Sequence, residues 1–345
     1  MSYQVIFFVD SANFGGIESH IIELAKLLTS HQIECSVLFY KDHNNQHFYK
    51  KLAANNIEFS FLTGSFAGTL RALYHMPHNT VIHTHGYKAS IVGKLCCRFL
   101  RMTCVSTYHA GETGFGWVKW YNRLDKSLSF LSKNFAVSKL IAKQINKATV
   151  LDNFVVSKSV CRPIKINSTP IGVGFVGRLS YEKGPDHFIE LASLLCHDKR
   201  FSWHVFGDGP MKASLPSFDF ITYHGMTDSE KIWPQLDILV VTSRQEGLPM
   251  AILEAMANNV LVISTNVGAI SSVVINEQTG YLVEQFSVRK FASIITDLPN
   301  NNHGKLTYLA AHHIQKHFSG KQQWYTLNTM YRNCLCAKPR FLPKS

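Results

Sequence analysis

Two carboxylates in the second half of the chain have the spacing and setting of a ligand-binding pair. Glu246 lies in a loop directly after the predicted buried strand Ile238–Thr242, and Glu254 lies one turn inside a predicted helix that begins near Pro249. Gly247 permits a sharp turn between them. A carboxylate on an apolar stretch, such as Glu254, is costly to bury unless it is paired or faces a ligand. We therefore expect the two carboxylates to contact opposite ends of one ligand.

Two cations form a second candidate group. The stretch Gly172–Gly184 is typical of a strand, a glycine loop and the start of a helix. In that loop Arg178 offers a bidentate fork and Lys183 a point charge, which together suit a diphosphate. Their place at the carboxyl end of a strand favours this interpretation over two solvated cations. Gly207 and Asp208 close the next strand, where a ligand contact and a simple turn remain equally open.

The first half carries weaker signals of the same kind. Gly15 and Gly16 follow the predicted strand Val5–Val9 and precede a helix, where backbone N–H groups can approach a phosphate. A glycine turn at such a place is often only a turn. His85 and His109 lie at the ends of apolar strands, and a histidine there is usually structural. His109 precedes a glycine turn and is the better candidate for a ligand contact, whereas a structural role for His85 stays equally open.

These residues need parallel strands to position them. Short apolar strands alternate with amphipathic helices in both halves, which predicts parallel sheets with helices on both faces. The predicted strands are Val5–Val9, Cys35–Tyr40, Thr80–His85, Thr103–His109, Phe135–Ser138, Gly172–Val176, Trp203–Phe206, Ile221–His224, Ile238–Thr242 and Val260–Ser264. The fold class is therefore α/β, with two doubly wound Rossmann-like domains.

The domain boundaries follow from where this alternation stops. We predict a first domain at 1–157, a polar, proline-containing linker at 158–170 and a second domain at 171–318. The terminal segment 319–345 contains a helical pattern at Gln322–Leu335. Two interpretations of that helix stay open: it caps the second domain, or it crosses back to the first.

Composition and charge limit the class of protein. The 345 residues are 46% hydrophobic and 17% charged, which excludes a disordered chain, and no apolar stretch approaches the ~18 residues of a membrane span. No secretory signal is apparent, so we expect a cytoplasmic protein. The net charge is +12, and residues 1–165 hold 19 Lys and Arg against 9 Asp and Glu. This excess predicts an anionic partner such as nucleic acid, a phosphate-bearing substrate or an acidic membrane.

Taken together, the motifs resemble those of retaining GT-B glycosyltransferases, the glycogen-synthase-like group called family 4 or glycosyl transferases group 1. The matching motifs are GGIE at 15–18, FVGRLSYEKG at 175–184, GDGP at 207–210, HGM at 224–226, the Glu-x7-Glu motif EGLPMAILEA at 246–255 and TGYLV at 279–283. The resemblance implies a GT-B fold, with two Rossmann-like domains facing a central cleft. It also implies transfer of a sugar, with retention of configuration, from a nucleoside diphosphate donor.

The resemblance also implies roles for single residues. Arg178 and Lys183 would hold the donor diphosphate, Glu254 the ribose hydroxyls, and Glu246 would lie near the donor sugar. His109 would reach that sugar from the first, acceptor-side domain. The implied catalytic residues are thus His109, Glu246, Arg178 and Lys183. The implied donor-binding residues are Gly15, Gly16, Arg178, Lys183, Gly207, Asp208, Met226, Glu246, Gly247, Leu248, Met250, Ala251 and Glu254, and the implied acceptor-side residues are His85 and Glu112.

The expected partners follow from the same resemblance and from the charge. We expect no metal, since no Asp-x-Asp motif occurs, and no cofactor besides the nucleoside diphosphate sugar, with a UDP-sugar favoured over a GDP-sugar. The expected acceptor is a glycan or lipid-linked glycan in bacterial cell-surface polysaccharide or lipopolysaccharide synthesis. Cations and aromatic residues within Lys88–Lys147, among them Lys94 and Trp120, predict attachment to an anionic face of the inner membrane.

Two alternative functions stay open at this point. A nucleotide-sugar epimerase shares the two-domain architecture, although the Glu-x7-Glu motif with the Arg and Lys pair favours transfer. A basic nucleic-acid-binding protein would explain the charge, but the chain has no RNA- or DNA-binding motif, and we therefore expect no nucleic-acid partner.

Overall fold

The computed structural model describes residues 3–12, 14–109, 117–156, 170–298 and 303–336. The chain divides into two compact units, one formed by Met1–Val156 with Gly320–Ser345 and the other by Ser157–Ser319. The terminal helix therefore belongs to the first unit. The predicted linker at 158–170 lies outside the described residues, apart from its last residue.

The first unit is built on one parallel sheet. Its strands are β1 (Gln4–Val9), β2 (Glu34–Phe39), β3 (Glu58–Phe61), β4 (Thr80–His85), β5 (Thr103–Tyr108), β6 (Lys133–Ala136) and β7 (Ala148–Val150). They are arranged in the order β3-β2-β1-β4-β5-β6-β7. The helices are α1 (Gly16–Ser30), α2 (Gln46–Ala54), α3 (Phe66–Tyr74), α4 (Tyr87–Leu100), α5 (Trp117–Ser127), α6 (Lys139–Ala142) and the terminal helix α12 (Lys321–Cys336).

Both faces of the central strand β1 are buried, which explains its unbroken apolar run. Phe7 and Phe8 point to opposite faces and are both fully buried. Phe7 belongs to a core that includes Leu327 and Tyr331 of α12, while Phe8 belongs to a second core that includes Leu73 of α3. The terminal helix thus covers one face of the first sheet.

The second unit repeats the same design. Its strands are β8 (Ile171–Val176), β9 (Phe201–Phe206), β10 (Ile221–Gly225), β11 (Ile238–Val241), β12 (Leu261–Thr265) and β13 (Tyr281–Val283), in the order β10-β9-β8-β11-β12-β13. The helices are α7 (Pro185–Leu194), α8 (Ser229–Ile232), α9 (Met250–Ala257), α10 (Val288–Asp297) and α11 (His303–His317). All strand pairs in this sheet are parallel.

The predicted α/β fold class with two doubly wound sheets is confirmed. Every predicted strand is present, and each end lies within two residues of the predicted position. Elements that the sequence pattern did not predict include β3, α3, α6, β7 and β13. Within the described ranges, no helix combines the length and hydropathy that crossing a membrane requires.

Candidate functional site

The motif residues of the second unit gather where the strand order reverses. The chain proceeds from β8 outward to β9 and β10, then returns to β11 on the other side of β8. Loops at the carboxyl ends of two such neighbouring strands diverge and leave room for a ligand. The loop after β8 carries Arg178 and Lys183, and the loop after β11 carries Glu246.

Lys183 and Glu246 form a close ion pair at this point. The Lys183 Nζ lies 2.6 Å from both Glu246 carboxylate oxygens, and the Ser243 hydroxyl donates to Glu246 Oε1 at 2.8 Å. The Glu246 side chain is 6% exposed, whereas that of Lys183 is 30% exposed. The pair therefore presents its ammonium end to solvent and keeps its carboxylate inside.

Glycines allow the loops after neighbouring strands to lie against each other. Gly184 has φ +66°, and a Cβ on it would lie 2.3 Å from the Thr242 carbonyl oxygen. The Thr242 hydroxyl donates to the Gly184 carbonyl at 2.7 Å, which ties the loop after β8 to β11. A Cβ on Gly207 would lie 1.9 Å from the Gly177 carbonyl oxygen, so only glycine fits at that position.

Arg178 and Asp208, which lie in the loops after the neighbouring strands β8 and β9, have different surroundings. Arg178 is exposed, and within the part of the chain that the structure describes its guanidinium makes no hydrogen bond or ion pair. Asp208 is bonded by the Lys212 ammonium at 2.7 Å and by the Gly209 N–H at 2.7 Å. Lys212 is the largest influence that lowers the pKa of Asp208. Arg178 is thus available for an anion, while Asp208 is already engaged.

Glu254 is held by two side chains that the sequence did not single out. The Ser229 hydroxyl donates to Glu254 Oε2, and the Trp233 indole N–H lies 2.8 Å from the Ser229 oxygen and 3.3 Å from Glu254 Oε2. Ser229 and Trp233 are four residues apart at α8, a spacing that places side chains on one helix face. That spacing is a signal that could have paired Ser229 with Trp233, although not with Glu254.

The remaining predicted donor-binding residues differ in how exposed they are. Met226 follows β10 and is 44% exposed, so its side chain is open to a ligand. Leu248 and Met250 are buried, so they can contact a ligand only through their backbone groups. Gly247 and Ala251 are partly exposed beside the start of α9. The predicted ligand contact near Met250 thus falls on backbone N–H groups at a helix start.

In the first unit, four imidazoles come together at the carboxyl ends of the strands. His85 Nδ1 lies 3.0 Å from His109 Nε2, and the His83 and His85 rings are 4.4 Å apart. The His20 ring of α1 stands edge-on to that of His109 at 4.9 Å. We call His20, His83, His85 and His109 the histidine cluster.

The histidine cluster is neutral because it is buried. Burial lowers the pKa of His20 to about 3, an effect that the Asn153 side chain partly opposes. Burial, followed by the neighbouring histidines, holds the pKa values of His83, His85 and His109 well below the usual range. These rings therefore act as hydrogen-bonding groups and not as cations.

Sequence reasoning missed His20, although a signal was present. His20 lies on the apolar stripe of α1, one turn from Ile17 and Leu24, where a histidine is unusual. Gly16 begins the same helix, and a Cβ on it would meet nothing within 4 Å. Open space in front of Gly16 fits the predicted ligand approach. Glu112 lies outside the described residues.

A metal centre has no basis in the part of the chain that the structure describes. No three His, Cys, Asp or Glu side chains there are arranged to hold an ion. In the histidine cluster, His83 lies between the hydroxyl groups of Tyr331 and Thr107, and His85 contacts His109.

Comparisons with known proteins agree with this architecture. The profile of the family described as glycosyl transferases group 1 matches residues 170–301, and that of glycosyltransferase family 4 matches residues 14–156. An uncharacterized glycosyltransferase of Methanocaldococcus jannaschii is 26% identical over 330 residues, covering 90% of this chain and 91% of that protein.

Two further relatives have a stated substrate or ligand. The Escherichia coli UDP-Gal:alpha-D-GlcNAc-diphosphoundecaprenol alpha-1,3-galactosyltransferase is 25% identical over 263 residues, covering 62% of this chain and 65% of that enzyme. The solved structure of Anabaena HepE with UDP and glucose has a TM-score of 0.81 at 17% identity, covering 96% of this chain and 100% of HepE.

Proposed function

Because the chain belongs to the group 1 and family 4 glycosyltransferases of the GT-B type, we propose that it transfers a sugar with retention from a nucleoside diphosphate donor to a glycan or lipid-linked glycan. The observation that carries the proposal is the ion pair of Lys183 and Glu246, with the exposed Arg178 in the same loop as Lys183, where the strand order of the second sheet reverses. Cations at a switch point suit a diphosphate.

In this proposal each charged group acts on one part of the donor. Arg178 and Lys183 bind the diphosphate and offset the negative charge that grows on the leaving group as the glycosidic bond breaks. Glu246 orients Lys183 and lies on the sugar side of the diphosphate. Glu254, held by Ser229, accepts hydrogen bonds from the ribose hydroxyls.

The remaining predicted residues complete the donor site in the same proposal. Gly16, Gly207 and the backbone at Met250 let main-chain groups approach the donor, Met226 contacts the base, and His109 contacts the donor sugar. A uridine base is supported by the two relatives, one named for UDP-Gal and one solved with UDP.

The acceptor and the place of reaction are part of the proposal. The Escherichia coli relative acts on a sugar linked to diphosphoundecaprenol, a lipid carrier. A lipid-linked acceptor in cell-surface polysaccharide or lipopolysaccharide synthesis would bring the enzyme to the cytoplasmic face of the inner membrane. The basic first unit supports this location, because anionic lipids attract Lys and Arg near the surface.

The exposed residues on and around α5 form the surface that would meet the bilayer. Residues 88–147 hold eleven Lys and Arg but two Asp and Glu. Trp120, Leu124 and Phe130 are 65%, 47% and 67% exposed. Exposed cations beside them include Lys119 and Arg123. We call these residues the α5 surface.

Lys94 was expected on this surface and is not there. It is fully buried on α4, where its ammonium is 2.5 Å from the Asp125 carboxylate and 2.7 Å from the Tyr108 hydroxyl. A buried ammonium needs such partners, and Asp125 supplies the opposite charge from α5. The prediction for Lys94 was wrong, and its pairing removes the acidic Asp125 from the surface as well.

A donor screen tests the proposed reaction. The full chain is titrated with UDP, GDP and their sugars, and the best donor is then incubated with lipid-linked glycan acceptors. We expect product with the donor's anomeric configuration by NMR. Inversion would contradict retention, and interconversion of the sugar without an acceptor would identify an epimerase.

Vesicle co-sedimentation tests the membrane location. The variant Lys119→Gln/Arg123→Gln should lose roughly 30-fold in affinity for anionic vesicles, since each cation contributes about 1 kcal/mol. Lys41→Gln/Lys50→Gln, which removes two exposed lysines elsewhere on the first unit, is the matched control. Equal losses in both variants would show that overall charge, not the α5 surface, mediates binding. Tighter binding to RNA than to vesicles would contradict a membrane role.

A further inference from the structure

The contact between His85 and His109 inside the histidine cluster has no part in the proposed function. His85 is fully buried on β4, whereas His109, directly after β5, is partly exposed. His85 therefore lies behind His109, and its Nδ1 is 3.0 Å from His109 Nε2. Between two neutral imidazoles, one ring must donate and the other accept. The direction of this bond decides where each ring carries its proton.

The second nitrogen of His85 indicates the direction. His85 Nε2 is buried and has no hydrogen-bond partner among the described residues. If His109 donated, His85 would carry its proton on Nε2, as a buried N–H without an acceptor. If His85 donates from Nδ1, its Nε2 is an unpaired acceptor. Buried donors without a partner are rarer than under-satisfied acceptors, so the second arrangement costs less.

We propose that His85 is a positioning residue, which donates from Nδ1 to His109 Nε2 and so holds His109 as the neutral Nδ1–H tautomer. In this tautomer the ring nitrogen that His85 does not contact carries a hydrogen. His109 then offers a ligand a hydrogen-bond donor instead of a lone pair. The inference about the tautomer depends only on contacts within the histidine cluster. Its effect on sugar transfer rests on the proposed function, in which His109 contacts the donor sugar.

Neighbouring side chains hold His85 in place. His83 accepts or donates through both nitrogens, with Nδ1 2.6 Å from the Tyr331 hydroxyl and Nε2 2.7 Å from the Thr107 hydroxyl. Its ring packs against that of His85, and the His20 ring packs edge-on against that of His109. Tyr331 belongs to the terminal helix α12, so that helix contacts the histidine cluster through His83.

Two substitutions of His85 separate its hydrogen bond from its bulk. The side-chain amide of Asn places an N–H donor near the position of the imidazole Nδ1, whereas Leu has similar volume and no donor. The tautomer of His109 is read from 15N chemical shifts in the full chain labelled at histidine. We expect Nδ1–H in the unchanged chain and in His85→Asn, and loss of that preference in His85→Leu.

A control isolates the bond from the packing around it. Tyr331→Phe removes a hydroxyl from His83 but leaves the contact of His85 with His109, and the His109 tautomer should stay the same. An Nε2–H tautomer in the unchanged chain would overturn the proposal. An unchanged tautomer in a folded His85→Leu variant would overturn it too.

Rates connect the tautomer to transfer. We expect kcat to fall about tenfold in His85→Leu and to recover in His85→Asn, because one hydrogen bond to the reacting sugar is misdirected. If His85→Leu changes the tautomer but not kcat, the positioning role is supported and the proposed contact of His109 with the donor is contradicted.

Discussion

Glu246 and Glu254 belong to one sequence motif, yet their neighbours differ in kind. Glu246 is bonded by the charged ammonium of Lys183, whereas Glu254 Oε2 receives hydrogen bonds from the neutral groups of Ser229 and Trp233. The first carboxylate therefore orients a cation, and the second is oriented by the protein. This difference suits one residue that serves a diphosphate and one that meets ribose hydroxyls directly.

Removing either charge should weaken nucleotide binding without unfolding the chain. Glu254→Ala and Lys183→Ala each lose a charge-assisted hydrogen bond to the ligand, about 1.5–3 kcal/mol, or roughly 10- to 150-fold in affinity. Calorimetric titration with UDP and GDP measures the effect. Lys290→Ala, at an exposed lysine on α10, is the control and should bind normally. Normal affinity in both site variants would refute their assignment.

Activity should survive exhaustive treatment with EDTA. The sequence has no Asp-x-Asp motif, and Arg178 with Lys183 can neutralise the leaving diphosphate. The measurement is turnover before and after chelation, with gel filtration to remove bound ions. Loss of turnover that added Mg²⁺ or Mn²⁺ restores would show that the cations are not sufficient.

At the level of elements, the buried pair of Lys94 and Asp125 joins α4 to α5. Lys94→Met leaves the Asp125 carboxylate buried without its cation and should cost about 3–5 kcal/mol of unfolding free energy. Lys94→Met/Asp125→Leu removes both charges and should recover most of the loss. Urea titrations measure both variants. A double variant no more stable than Lys94→Met would show that the unpaired Asp125 carboxylate is not the cause of the lost stability.

The elements with strong patterns could be predicted from the sequence, and the others could not, for physical reasons. β1 and β4 are buried on both faces, so their apolar runs are unbroken. β3 lies at a sheet edge with largely exposed residues, and β13 has three residues, so neither has a clear period. The role of Lys94 could not be predicted, because its partner is 31 residues away in sequence.

Part of the candidate site could be predicted from the sequence, and part could not. Arg178, Lys183 and Glu246 follow strands that the pattern identifies, so their place at the carboxyl edge of one sheet could be expected. Ser229 and Trp233 could not be assigned to Glu254, because their contact depends on how α8 packs against α9. Side chains that position other side chains leave little trace in one sequence.

For the whole molecule, the histidine cluster makes stability depend on pH. The unfolded histidines take up protons near pH 6.5, while the folded ones, whose pKa values are lowered by burial, stay neutral. The contribution of these four histidines to stability is therefore complete above pH 6.5 and is lost as the pH is lowered below it, by about 1.4 kcal/mol per pH unit for each buried histidine.

Urea titrations at pH 7.5, 6.5 and 5.5 measure this dependence. His20→Phe removes one of these histidines. Below pH 6.5 it should reduce the slope of unfolding free energy against pH by the equivalent of about one proton. A free energy of unfolding that stays constant from pH 7.5 to 5.5 would contradict a neutral, buried histidine cluster.

The most direct test of the central claim concerns the second phosphate of the donor. The full chain and Arg178→Ala are titrated with the diphosphate that binds best, UDP or GDP, and with its monophosphate. If Arg178 and Lys183 bind the diphosphate, the unchanged chain prefers the diphosphate, and Arg178→Ala loses roughly tenfold or more of that preference while its monophosphate affinity changes little. An equal preference in both proteins would contradict the account.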